Sequence, residues 1–207
     1  MKLLVASKNQ SKLKELTHLI KKLRTKHRLK IELVSLNKFP HLKTIREDGK
    51  TFRENAIKKA IGYAKKTGLL TLAEDSGLVV DALNGRPGVY SARFAGGRKD
   101  DLANCRKVLR MLKQIKNPKK RRASFRCTVA ICTPDRVIKV VNGNVTGQIA
   151  RDVLGPNGFG YDPIMYYPAF GRTFGQVHGY LKNSVSHRSK ALKKAALFLN
   201  HYLTDKN

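Results

Sequence analysis

Glu74 and Asp75 are adjacent carboxylates at the end of an apolar run, Leu69 to Ala73, and Ser76-Gly77 follows at once. Read as a tight turn, Ser-Gly closes the strand and sets both acids at a strand terminus. That is a usual location for metal and phosphate chemistry in α/β proteins. The chain has 14 acidic residues against 43 Lys plus Arg, so a paired acid is conspicuous. The plainer reading is a solvated turn with two incidental charges, because acids are common in turns. Glu47, just before Asp48-Gly49, is a further acid that could join Asp75 around Mg²⁺. That ion takes one or two carboxylates and fills its shell with water and phosphate oxygens.

Three other segments carry polar chemistry. Ser7-Lys8-Asn9-Gln10-Ser11-Lys12 bridges a first strand and a first helix. Helix N-terminal N–H groups attract phosphate, and a lysine in the first turn opposes the macrodipole unless an anion sits beside it. Gly158-Phe159-Gly160-Tyr161-Asp162 offers backbone that a ligand can approach closely, a ring for stacking on a base, and an acceptor for a base or ribose donor. Lys182-Asn183-Ser184-Val185-Ser186-His187-Arg188 joins a cation to His and Arg near the start of the last helix. That set suits phosphate and purine carbonyl contacts. Each segment read alone also fits an ordinary loop in a basic chain. No Gly-x-Ser-x-Gly is present, which argues against a serine hydrolase.

The elements that must position these residues alternate between strand and helix, the pattern of an α/β fold. Leu3 to Ser7 and Ile31 to Leu36 read as strands. Leu13, Leu16, Ile20 and Leu23 recur at helical spacing behind a Ser11 cap. Thr51-Phe52-Arg53-Glu54 has the form of a capping box for a helix that stops at Gly68. Leu69 to Ala73 and Leu78 to Ala82 read as two strands around the acidic turn. A helix opens near Asp100 and Asp101. Ala123 to Thr133 and Val137 to Val145 alternate as two long strands, and a last helix runs from about Ser186 to Leu203.

The 207 residues fit one domain, 1–207, with room for two lobes. Hydrophobic residues are 41% of the chain, and no apolar run approaches a membrane span. The short apolar start, Met1 to Ala6, reads as a buried strand rather than a signal peptide. Three cysteines, Cys105, Cys127 and Cys132, lack metal-ligand spacing and are odd in number, which points to a reducing cytoplasm. Cys127 and Cys132 fall in an apolar run and read as core. The net charge of +29 is spread over almost the whole chain, and only Lys119-Lys120-Arg121-Arg122 forms a localised patch. The charge reads as solvated surface with long-range attraction for polyanions, and no specific nucleic-acid partner is expected.

In order along the chain, these blocks are far more specific than any one alone, and the chain resembles the inosine triphosphate pyrophosphatase family. The family's Ser/Thr-x-Asn-x-x-Lys stands at Ser7, Asn9 and Lys12, and its Thr-Phe-x-Glu-Asn-Ala-x-x-Lys-Ala runs from Thr51 to Ala60. Acidic-Asp-Ser-Gly-Leu occupies 74–78, Pro-Gly-x-Tyr-Ser-Ala-Arg 87–93, Gly-Phe-Gly-Tyr-Asp-Pro 158–163 and Lys-Asn-x-x-Ser-His-Arg 182–188. The resemblance implies a two-lobed α/β fold with a long mixed sheet, helices on its faces and a nucleotide cleft between lobes, assembled as a homodimer. It implies Mg²⁺-dependent hydrolysis of ITP, dITP and XTP to monophosphate and pyrophosphate.

Carried over by position, Asp75 is general base and metal ligand and Glu47 a metal ligand. Asn9, Lys12, Lys59 and Lys182 hold phosphates, with Ser7, Lys8, Gln10 and Ser11 in the same phosphate loop. Ser76, Phe159, Gly160, Tyr161, Asp162, His187 and Arg188 surround the nucleoside, and Asp81 and Arg93 are further cleft candidates. Glu74 stands where bacterial members often have Asp, one methylene shorter, which bears on metal geometry at that position. Phe174 to Leu181 lacks the acids expected before the Lys-Asn block. The alternatives are a pyrophosphatase for modified pyrimidine triphosphates and a basic nucleic-acid-binding protein on an inactive scaffold.

Overall fold

The structure, a computed structural model, describes residues 1–7, 13, 17, 18, 20, 21, 25, 31–97 and 100–204. Its elements in chain order are β1 (Lys2–Val5), β2 (Glu32–Ser35), α1 (Phe52–Thr67), β3 (Leu70–Val80), α2 (Asp101–Met111), β4 (Arg122–Cys132) and β5 (Val137–Ile149). They continue with β6 (Met165–Tyr167), β7 (Arg172–Thr173), α3 (Gly179–Val185) and α4 (His187–Thr204), and short 3₁₀ turns join several of them. The strands make one mixed sheet in the order β2-β1-β3-β4-β5-β6-β7. β1 runs parallel to β2 and β3, with Val5 opposite Ser35 and Leu72. β6 runs antiparallel to β5 and β7. The described residues of the first expected helix, 13, 17, 18, 20, 21 and 25, are helical, whereas Ser11, Leu16 and Leu23 lie outside the described set.

By contact, the chain divides into a first unit, Met1–Asp75 with Cys127–Gly143 and Arg188–Asn207, and a second, Ser76–Arg126 with Asn144–His187. The first unit has two cores, and strand alternation explains why. Leu70 and Leu72 belong with Cys127 and Val129 to a cluster that packs Ala191 and Leu192 of α4. Ala73, Ala130 and Leu4 belong to another, which packs Ala56 and Ala60 of α1. Successive side chains of a strand point to opposite faces, so α4 covers one face and α1 the other. The second unit has its own core, in which Val108 and Leu112 of the α2 segment meet Leu78, Phe125 and Ile164.

Helix α1 starts and stops where its sequence says. Thr51 Oγ1 accepts from Glu54 N–H at 3.1 Å, and Gly68, in the left-handed region at φ 68°, donates to Ala64 O. The capping box is half realised: Glu54 Oε2 accepts from Lys50 N–H at 2.8 Å, one residue before the cap. The last helix begins at His187, and a separate short helix, α3, carries Lys182 and Asn183.

Two expectations are corrected. The acidic turn is absent: Glu74 to Gly77 lie inside an unbroken eleven-residue strand, Leu70–Val80. Gly77 serves close approach instead of turning, since a Cβ there would sit 2.3 Å from Ser91 Oγ and 2.7 Å from Gly88 O. Ser91 Oγ meanwhile accepts from Leu78 N–H at 2.9 Å and donates to Gly88 O at 2.6 Å. The chain reverses later, through the 3₁₀ turn Asp81–Leu83 and Asn84-Gly85.

The second correction concerns Arg121, which is no part of a surface patch but only 4% exposed. Its guanidinium donates to Ile149 O at 2.8 Å, Ala150 O at 2.7 Å, Leu112 O at 2.8 Å and Ile115 O at 3.1 Å. Burial, helped by the charge of Arg151, lowers its pKa from the ordinary arginine value. Four carbonyls at the ends of α2 and β5 thus share one donor group. Arg121→Met should cost about 3 kcal/mol in urea unfolding with an unchanged m value, because the carbonyls lose that donor. A cost below about 0.5 kcal/mol would show that water replaces the guanidinium there.

Candidate functional site

In the first unit, the two acids of β3 are separated by the strand's own alternation. Asp75 follows Ala73 in parity, toward the face covered by α1, and Glu74 follows Leu72, toward α4. Each carboxylate is buried, at 6% and 2% exposure, and each has its own partners.

Asp75 Oδ2 accepts from Asn55 Nδ2 at 3.0 Å. Asn55 is itself buried, and its Oδ1 accepts from Gly49 N–H at 2.7 Å. One turn along the same face of α1, Lys59 Nζ donates to Glu47 Oε1 at 2.7 Å. Residues i and i+4 of one helix therefore fasten both the 47–49 loop and Asp75. Beside them Lys58 pairs with Asp48, and that hydrogen bond holds the Asp48 carboxyl below the usual carboxylate range. Asn55 is the site residue that sequence reading missed. Its signal was available as the residue four before Lys59 in the same motif.

Glu74 meets a guanidinium side-on. Oε2 accepts from Arg188 Nε at 2.7 Å and Oε1 from Nη2 at 3.0 Å. Cys127 Sγ donates to Oε2 at 3.2 Å.

The second unit builds a different constellation around Asp162. Its Oδ2 accepts from Phe159 N–H at 2.9 Å and from Lys182 Nζ at 2.7 Å, and both charged residues are buried. Gly158, at φ 79°, makes room: a Cβ there would lie 2.2 Å from Asp162 Oδ2. Lys182 Nζ also stands 4.5 Å from the centroid of the Phe159 ring. Gly160 N–H donates to Asp101 Oδ2 at 2.6 Å, and Tyr161 OH to Ser91 O at 2.8 Å. His187 stacks on Phe125 with centroids 4.9 Å apart. Ser76 is half-buried. Asp101, which sequence reading used only to open a helix, thus also fixes the glycine loop.

Lys8, Asn9, Gln10, Ser11 and Lys12 lie outside the described residues, and Ser7 is half-buried just after β1, its N–H donating to Val5 O at 3.1 Å. Asp81 and Arg93 are exposed; Arg122 lies 3.7 Å from the first, and the second stands over the Tyr90 ring at 5.1 Å. Among the described residues, no group of three or more His, Cys, Asp or Glu is placed to share a metal. Asp75, fastened to α1 through Asn55, and Glu47, fastened to it through Lys59, are both oxygen donors. That donor chemistry fits Mg²⁺, which takes one or two carboxylates and fills its remaining positions with other oxygens.

Three comparisons bear on this geometry. The Ham1 family profile matches residues 3–198. A dITP/XTP pyrophosphatase of Desulforamulus reducens is 48% identical over 200 residues, covering 97% of this chain and 96% of that one. The protein of the same name from Bacillus anthracis is 44% identical over 192 residues, 92% of each. Among solved structures, a HAM1 protein of Coxiella burnetii superposes with a TM-score of 0.86 at 39% identity, over 97% of this chain and 99% of that one. The Ham1 protein of Staphylococcus aureus gives 0.84 at 38%, over 98% and 100%.

None of the three cysteines offers an exposed nucleophile. All three are buried thiols. Burial first, then the charges of Asp101 and Asp162, pushes Cys105 up to about 12, and burial pushes Cys132 to about 11. A raised thiol pKa suppresses the thiolate, the reactive form. The native protein should therefore resist a disulfide-exchange reagent at pH 8 and release its three equivalents only on unfolding. Fast reaction of a folded thiol would contradict the burial.

Proposed function

The chain belongs to the Ham1 family, and from that premise we propose that it hydrolyses dITP, ITP and XTP to the monophosphate and pyrophosphate. The observation that carries the reading is 48% identity across 97% of the chain to a dITP/XTP pyrophosphatase. Neither a modified-pyrimidine substrate nor a nucleic-acid-binding role is favoured, since the matched relatives carry the purine activity in their names.

In this reading a water attacks the α-phosphorus, forming a P–O bond as the bond from that phosphorus to the bridging oxygen breaks, and pyrophosphate leaves. Asp75 aims the water and takes its proton. Asn55 keeps Asp75 in one rotamer, so the base is in place before substrate arrives. Asp75 and Glu47 would hold Mg²⁺, which supplies charge neutralisation to the triphosphate when bound. Lys12 and Lys59 balance the phosphate charge, with Asn9 and its loop donating alongside.

Phe159 stacks on the base, and the buried Asp162–Lys182 pair holds the loop that presents it. We group Lys182 with the nucleoside residues for that reason, away from the phosphates. His187 and Arg188 donate to the 6-keto oxygen, where the amino group of adenine would face donors and be rejected.

We further propose a cytoplasmic homodimer. Three buried thiols with no disulfide support a reducing compartment, and no described helix is long and apolar enough to cross a membrane.

Pyrophosphate release with Mg²⁺ should favour dITP and XTP over dATP by about a hundredfold or more in kcat/KM. No cleavage of dITP, ITP or XTP would overturn the reading. Asp75→Asn should bind dITP and lose turnover by about a thousandfold or more, the order expected for a base that also aims the water. Asn55→Ala should lower kcat about tenfold to a hundredfold, with a smaller change in KM, because it loosens the aim without removing the base. Near-normal kcat in either variant would remove that residue from the mechanism.

A further inference from the structure

Glu74 is an expensive residue to keep where it stands. It is 2% exposed in the middle of β3, and its partner Arg188 is 1% exposed at the second position of α4. A buried ion pair of this kind stabilises little compared with an apolar pair of the same size, because both charges must leave water. The pair gives the chain a defined geometry. Nε and Nη2 each meet one carboxylate oxygen, at 2.7 and 3.0 Å, so the plane and direction of the guanidinium are fixed and not only its charge. Cys127 Sγ adds a further donor to Oε2 at 3.2 Å, which in turn helps fix the carboxylate.

The alternation of β3 decides what Glu74 cannot do. Asp75 shares the α1 face with Asn55, whereas Glu74 shares the α4 face with Cys127 and Arg188. Adjacent residues of one extended strand do not turn to the same ion. The extra methylene relative to Asp, about 1.5 Å of reach, carries the carboxylate out to a side chain from the first turn of the last helix.

We infer that Glu74 is a positioning residue for base recognition, holding the Arg188 guanidinium in its reading orientation, and is not a metal ligand. This rests on the proposed hydrolysis of dITP and XTP.

The test uses full-length Glu74→Gln, which keeps size and loses charge, and Glu74→Asp, which keeps charge and loses reach. Two quantities are measured on folded protein: the ratio of kcat/KM for dITP to that for dATP, and Mn²⁺ affinity of the nucleotide-free protein by electron paramagnetic resonance. The ratio does not depend on the active fraction, so simple loss of stability leaves it unmoved. Glu74→Gln should lower it by about tenfold or more, chiefly through KM for dITP, while the Mn²⁺ dissociation constant stays within about twofold. Glu74→Asp should lower it by about threefold or more, and it is the variant read if the Gln protein does not fold. An unchanged ratio overturns the inference, and so does a tenfold loss of Mn²⁺ affinity. If wild-type protein cleaves neither dITP nor XTP, the underlying reading fails first and takes this inference with it.

Discussion

Two carboxylates in succession in the middle of a buried strand must face opposite ways, and the first unit is organised around that constraint. A buried charge survives only with its own partners. Helix α1 supplies them on one face, where Asn55 holds Asp75. Helix α4 supplies them on the other, where Arg188 clamps Glu74. Neither helix merely covers the sheet. Each brings a side chain to a charge that would otherwise be too costly to bury, and the parity of Leu72, Ala73, Glu74 and Asp75 assigns each charge to its helix. An acid pair that looks like a two-carboxylate metal site in one dimension becomes two separate devices in three.

The second unit solves a related problem with a loop. A glycine-rich segment has many backbone N–H groups and little to hold them. Asp162 takes the N–H of Phe159, and Asp101 takes that of Gly160. Lys182 then neutralises Asp162 and lies against the Phe159 ring. The loop is therefore held by carboxylates before any ligand arrives, a form of preorganisation that spares the ordering cost on binding.

Much of this was legible in the sequence. Thr51 and Gly68 bound α1 as their residue types dictate, and the alternation of residues 123–133 gave β4 nearly to the residue. The family could be recognised from six ordered blocks. What failed did so for a physical reason. Ser76-Gly77 looks like a turn locally, but the demand for a glycine comes from Ser91, fourteen residues away and invisible to a local pattern. Arg121 looks like one cation in a run of four, and only the carbonyls of 112, 115, 149 and 150 explain its burial. The partners of Asp75 and Glu74 lie 20 and 114 positions away in the sequence. Local periodicity places a side chain on a face, but which distant residue meets it there is set by the packing of helices on the sheet.

The most direct measurement is the anomalous difference map of crystals grown with Mn²⁺ and a non-hydrolysable dITP analogue. If Asp75 holds the metal as proposed, the division of β3 predicts a manganese peak about 2.0–2.3 Å from its carboxylate, with Glu74 still on Arg188 and no peak within bonding reach of it. A manganese ion ligated by Glu74, with Arg188 displaced, would contradict that division.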